Sequence, residues 1–122
     1  MDYDISEDDI TGNDRGDGMY ENIALTETTY YILLALYRPN HGYGIMQKAY
    51  DLSGGRVRLA AGTLYGALNT LCDKHWIEQL PAEAGSRKKE YRLTEEGLDV
   101  LINEIERLRE LVNNGDAVMK GE

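Results

Sequence analysis

The sequence contains one cysteine, and this scarcity excludes an intrachain disulfide. It also lacks a Cys/His cluster with zinc-ligand spacing and a glycine loop of the Walker or dinucleotide-binding type. Since no apolar run reaches about 18 residues, no membrane-spanning segment is predicted. The start of the chain, MDYDISEDDI, lacks the basic-then-apolar order of a signal peptide. We therefore expect a cytoplasmic protein with no metal or cofactor.

Residues suited to catalysis are equally few. His41 and His75 are the histidines, and neither has a Ser, Cys or carboxylate nearby in a recognised catalytic spacing. Cys72 falls towards the apolar side of a predicted helix, where a small core residue is a better interpretation than a nucleophile. The sequence therefore does not predict an enzyme.

Basic residues are outnumbered, with 13 Lys and Arg against 22 Asp and Glu and a net charge of −9. This net negative charge argues against a nucleic-acid partner, but the distribution of the charged residues along the chain removes most of that objection. Residues 1–22 hold eight acids and one base, a net charge of −7, and are predicted to be a disordered acidic tail. From Arg56 to Arg92, seven bases outnumber four acids. Because DNA affinity depends on where the cations lie, this local excess leaves DNA binding open.

The spacing of the apolar residues predicts four helices and a small β-hairpin, a mainly α fold. The predicted elements are a helix that starts near Thr26 with Thr26 as its N-cap, a helix at Tyr43–Leu52, a strand at Arg56–Leu59, a helix at Ala61–Lys74, strands at Ile77–Leu80 and Lys89–Leu93, and a helix capped by Thr94 that stops at Asn113-Asn114-Gly115. This order is that of a winged helix-turn-helix domain, residues 23–94. An added C-terminal dimerisation helix, 95–114, and a flexible tail, 115–122, complete the predicted organisation.

The third predicted helix has the two faces of a DNA-recognition helix. Leu64, Leu68 and Leu71 share the apolar face, and small or polar residues lie opposite. Glycines on that outer face would allow close approach to a major groove, where polar side chains contact base edges or phosphates. The candidate DNA-binding residues of this helix are Thr63, Tyr65 and Asn69. The alternative is that they are simply the solvated face of an amphipathic helix.

The turn before the last predicted strand is basic. Arg87, Lys88 and Lys89 lie near the tip of the predicted hairpin, where long cationic side chains can reach phosphates or a minor groove. The alternative is a charged turn that keeps the protein in solution or protects an edge strand. Its position directly after an amphipathic helix with small outer residues favours a DNA-binding wing.

The last predicted helix carries apolar residues at a spacing of 3, 4, 3 and 4, the seam of a coiled coil. The candidate dimerisation residues are Leu98, Leu101, Ile105, Leu108 and Val112. The alternative is intramolecular packing alone, but Ile102 and Leu111 extend the apolar surface beyond what a small core covers from one side. We therefore favour a homodimer, which would hold two recognition helices about one DNA turn (~34 Å) apart and predict a palindromic operator.

Several motifs resemble those of the PadR family of bacterial winged-helix transcriptional regulators. They are LTETTYYILLALYRPNHGYGIMQ, GTLYGALNTL, WIE and SRKKEYRLTEEGLDVL, which together span about Leu25 to Val112. The resemblance, to the short type with a single C-terminal helix, implies a homodimeric repressor that binds a double-stranded DNA operator. It places Thr63, Tyr65 and Asn69 in the recognition helix and Arg87, Lys88 and Lys89 in the wing.

Two further features bear on the resemblance. Some short relatives bind flat aromatic drugs between subunits through a tryptophan on the last helix, and this chain has no tryptophan there. His75 occupies a position that is often glycine in the family, and which is expected to need a positive φ.

Two functional hypotheses remain. The first is a dimeric repressor that a small-molecule inducer releases by changing the spacing of the recognition helices. The second is a winged-helix protein–protein docking module without specific DNA binding, in which the wing contacts another protein. Replacement of Arg87 and Lys89 by alanine distinguishes them, because only the first predicts weaker DNA binding with a smaller salt dependence.

Overall fold

The computed structural model describes residues 24–82, 84–85 and 87–121, so the predicted acidic tail lies outside the described residues. Its elements are α1 (Glu27–Ala35), β1 (Asn40–His41), α2 (Gly42–Leu52), α3 (Ala61–Asp73), β2 (Ile77–Gln79), β3 (Glu90–Leu93) and α4 (Glu95–Met119). The prediction of a mainly α fold with a small β component is confirmed. Thr26–Leu98 form one compact unit, and α4 from Asp99 onwards belongs to a second unit together with Leu25.

The first unit is built around apolar side chains from α1, α2 and α3. The Thr26 hydroxyl caps α1 as predicted, accepting a hydrogen bond from the Thr29 N–H at 3.1 Å. The largest fully buried side chains in this unit are Ile32, Leu33 and Leu36 of α1 and its cap, Ile45 of α2, Leu64 and Leu68 of α3, and Ile77 of β2. The helical spacing of leucines in α3 therefore buries one face of that helix and leaves the opposite face outward.

The prediction of a strand at Arg56–Leu59 is wrong. The third strand of the sheet is β1, which pairs antiparallel with β3 at Asn40↔Tyr91, so that the strand order is β1-β3-β2. The alternating RVRL segment does bury Val57, but the Val57 N–H donates to the Ser53 hydroxyl at 2.8 Å. Because that amide is satisfied locally, it does not join a ladder.

The end of α3 confirms the expectation for His75, whose φ is 64°. The His75 N–H donates to the Cys72 carbonyl at 2.9 Å, and the Trp76 N–H to the Leu71 carbonyl at 3.1 Å. This pair of bonds is a Schellman motif, which requires a left-handed residue where His75 lies. The tight turn brings the chain directly from α3 into β2.

The start of α4 is capped as predicted, because the Thr94 hydroxyl accepts from the Gly97 N–H at 3.0 Å and donates to the His75 carbonyl at 2.6 Å. The predicted stop at Asn113-Asn114-Gly115 is wrong, since α4 continues to Met119. A glycine inside a helix costs only about 1 kcal/mol relative to alanine. The helix ends instead before Gly121, whose φ is 87°, so residues 115–119 of the predicted tail are helical.

The second unit contains a buried carboxylate on α4. The Glu104 side chain is 2% exposed, and its carboxylate accepts hydrogen bonds from Arg107 Nε at 2.7 Å and Nη2 at 2.8 Å. The Leu25 N–H also donates to Glu104, at 3.2 Å. Hydrogen bonding to Glu104 raises the pKa of Arg107. The buried charge is thus fully engaged by groups of its own unit.

Candidate nucleic-acid interface

The outer face of α3 is open along its length. Thr63 and Asn69 are exposed, and Tyr65 is 43% exposed. A Cβ added at Gly62 or Gly66 would meet no atom within 4 Å, so both glycines keep this face slim. The helix therefore presents small and polar groups outward, as the shape of a major groove requires.

The Tyr65 side chain leans towards the start of α2. Its hydroxyl lies against Gly42, where an added Cβ would collide with that oxygen and lie 2.8 Å from the ring carbon Cζ. Gly42 is the first residue of α2 and is buried. The absence of a side chain at Gly42 therefore leaves room for the Tyr65 hydroxyl at the start of α2.

Tyr65 and the three basic residues of the wing line the same open groove. The groove has a volume of about 630 Å³ and is lined by His41, Gly42, Tyr43, Tyr65, Arg87, Lys88 and Lys89. It forms because His41 of β1 pairs with Glu90 of β3, which brings the basic turn beside the start of α2. Four of the six predicted DNA-binding residues thus lie together, whereas Thr63 and Asn69 lie elsewhere on α3.

The groove also contains residues that the sequence interpretation missed. His41 caps α2, with its Nδ1 accepting from the Gly44 N–H at 3.2 Å, and Tyr43 is 68% exposed. The HGYG segment is typical of a turn followed by a helix start, and this local signal is all that the sequence offers. The pairing that places these residues beside the wing joins segments far apart in the chain, so it could not be seen locally.

Four basic residues of the first unit differ in whether a carboxylate pairs with them. Arg56 is paired with Glu27, and Arg92 Nε contacts Glu78 at 2.7 Å. By contrast, among residues 24–82, 84–85 and 87–121 no carboxylate forms an ion pair with Arg87 or Lys89. The positive charges of Arg87 and Lys89 are therefore available to an anion from outside the chain.

Burial favours the neutral forms of Cys72 in α3 and of Tyr91 in β3, because it raises the pKa of both groups. Burial raises the pKa of the Cys72 thiol, and the neighbouring Asp73 carboxylate raises it further. Burial also raises the pKa of Tyr91, with smaller contributions from Cys72 and Tyr65. A protonated, half-buried thiol is a poor nucleophile. In the part of the chain that the structure describes, no three His, Cys, Asp or Glu side chains are grouped to hold a metal ion.

The five seam residues of α4 differ in exposure within one chain. Leu101 is buried, whereas Leu98, Ile105 and Leu108 are half-buried and Val112 is 60% exposed. Further apolar side chains are exposed on the same helix, and these are Ile102, Leu111, Val118 and Met119.

The described helices include none that is long and apolar enough to cross a membrane.

Comparison with known proteins relates this site to one family. The model of the transcriptional regulator PadR-like family matches residues 32–103, which include α2, α3, both strands of the wing and the start of α4. No curated protein sequence matches significantly.

Solved structures of PadR regulators are similar in fold. A PadR family regulator from Clostridium difficile R20291 has a TM-score of 0.65 and 23% identity, over 77% of this chain and 99% of that one. One from Eggerthella lenta has a TM-score of 0.61 and 24% identity, over 77% and 82% of the two chains. Bacillus subtilis PadR in complex with operator DNA has a TM-score of 0.57 and 25% identity, over 66% of this chain and 47% of that one.

Proposed function

Because the chain belongs to the PadR-like family of transcriptional regulators, we propose that it is a cytoplasmic, homodimeric repressor that binds a palindromic DNA operator. The winged-helix fold and the family membership are those of DNA-binding regulators rather than of enzymes. The structure of B. subtilis PadR was solved in complex with operator DNA. The assignment of DNA contacts and of a dimer interface to residues of this chain rests on the surface of this chain.

The groove beside the wing carries the proposal. It combines Arg87 and Lys89, which have no carboxylate partner among the described residues, with the Tyr65 hydroxyl at one end of the slim face of α3. Phosphate contacts from the wing would set the position of the protein on the duplex. Thr63 and Asn69 would then contact base edges in the major groove, and asparagine is well suited to adenine.

Dimerisation through α4 would complete the operator-binding unit. Ile105 and Leu108 are half-buried and Val112 is exposed in one chain, so a second copy has apolar surface to cover. The 3-4 spacing favours a partner helix along this seam. A two-fold dimer would present two α3 helices to half-sites about one helical turn apart. A small-molecule inducer would release the DNA by changing that separation.

The experiment that tests the proposal compares two variants of the same strand and turn. Arg87→Ala with Lys89→Ala should weaken duplex binding, and log Kd against log salt should lose about 0.9 of its slope per phosphate contact. Arg92→Ala is the matched control, because the Arg92 guanidinium is already engaged by Glu78. An unchanged slope in the double variant would contradict the role of the wing and favour a protein-docking module instead.

A further inference from the structure

A second open groove lies next to the first and shares Tyr43 with it. Its volume is about 320 Å³, and it is lined by Tyr43, Met46, Gln47, Tyr50, Arg58 and Leu59. Arg58 lies in the turn between α2 and α3, three residues before Ala61. The N-terminal end of a recognition helix is where such helices meet base edges and the adjoining backbone. This groove therefore adjoins the surface that DNA would occupy.

Arg58 is held in place by its own unit. Its Cζ lies 5.4 Å from the centre of the Tyr50 ring, and its Nε donates to the Gly55 carbonyl at 3.1 Å. A Cβ at Gly55 would lie 3.4 Å from Tyr50 Cζ, and φ of Gly55 is 86°. The ring and the glycine turn therefore restrict the guanidinium before any ligand binds, which lowers the entropy lost on binding.

The rest of the guanidinium remains open. No carboxylate pairs with Arg58 within the described segments, and its two terminal nitrogens make no hydrogen bond to residues there. Arg56, which lies two residues before Arg58, differs because it is paired with Glu27. Two planar N–H donors beside an anchored Nε form the arrangement that recognises a phosphate. Of these two arginines, only Arg58 is set up for an external anion.

We propose that Arg58, positioned by Tyr50, contacts a DNA backbone phosphate at the N-terminal end of α3. Cations would then hold the recognition helix to the backbone from two places, Arg58 before its first turn and the wing residues Arg87 and Lys89. The aromatic and apolar lining of the groove, including Tyr43, suits the sugar next to that phosphate. This inference rests on the proposed function, since it assigns a further contact to the same DNA complex.

The test measures duplex binding over a range of salt concentrations with the full chain. Arg58→Ala should lower affinity about tenfold at low salt, the loss expected for one charge-assisted hydrogen bond. The slope of log Kd against log salt should shrink by about 0.9. Arg56→Ala, the matched control, should leave the slope within error. Tyr50→Leu should give a smaller loss than Arg58→Ala, and Tyr50→Phe should bind as the parent chain does, because the ring remains.

The outcomes distinguish a failure of this inference from a failure of the proposed function. If Arg58→Ala leaves the slope unchanged, as Arg56→Ala should, while the wing variant still weakens binding, a phosphate contact by Arg58 is excluded and the repressor proposal stands. If the parent chain binds no duplex, both proposals fail together. Thermal unfolding of the Arg58 variant should match that of the parent chain, since the side chain is exposed. A lowered melting temperature with an unchanged slope would show a merely structural role.

Discussion

The buried carboxylate of α4 and the exposed cations around α3 are charged groups in opposite situations. Glu104 is 2% exposed and is engaged by Arg107 and the Leu25 N–H. Arg58 and Arg87 are exposed, and neither has a carboxylate partner among the residues that the structure describes. A buried charge without its partner costs several kcal/mol, whereas an exposed one costs little. The first arrangement therefore serves stability, and the second leaves charge for a partner molecule.

The largest effect should follow from breaking the buried pair. Arg107→Ala leaves Glu104 buried with only the Leu25 N–H as donor, so the free energy of unfolding should fall by about 3–5 kcal/mol. Chemical denaturation at matched protein concentration measures it. Arg87→Ala, in the exposed group, should stay within about 0.5 kcal/mol of the parent chain. Equal effects of the two substitutions would contradict the contrast between the two regions.

The next largest effect should come from the apolar seam of α4. Ile105→Asp puts a carboxylate into the proposed dimer contact, and leaving a charge unpaired in an interface costs several kcal/mol. Sedimentation at micromolar concentration should therefore show a monomer. Arg109→Asp, which adds the same carboxylate at an exposed position of α4, should remain dimeric. A dimer of the Ile105 variant would exclude this seam as the interface.

The smallest effect is expected from replacing a glycine by alanine at one position in each of two helices. A Cβ at Gly66 of α3 or at Gly115 of α4 would meet no atom within 4 Å. Both Gly→Ala variants should therefore be more stable than the parent chain, by about 0.5–1 kcal/mol. Only Gly66→Ala should lower DNA affinity, because only the methyl group on α3 would lie where the protein approaches the major groove of DNA. Paired melting curves and binding titrations decide the matter, and equal DNA affinities would argue against close approach at Gly66.

The elements that could be predicted from the sequence are those fixed by local signals. The leucine spacing of α3 and the threonine caps at Thr26 and Thr94 depend on residues within a turn or two. The positive φ of His75 was expected instead from the family resemblance. The end of α4 was mispredicted because the stop signal at Gly115 is weaker than the continuing helix. The left-handed glycine that ends it is Gly121.

The features that could not be predicted depend on contacts between distant segments. β1 has only two residues and pairs with β3, so no alternation in its own sequence marks it as a strand. That pairing brings His41 and Tyr43 beside the basic wing and creates the groove. The role of Arg58 likewise depends on where Tyr50 and Gly55 lie. The sequence pattern predicts candidate recognition residues, but it does not predict the shape of the surface on which they lie.

The central claim is that two copies of this surface bind an inverted repeat. The most direct test is a selection of bound duplexes from a random DNA pool with the full chain at moderate salt. We expect enrichment of an inverted repeat whose half-sites are about one helical turn apart. A folded, dimeric protein that enriches no sequence would contradict the repressor proposal and favour a protein-docking module.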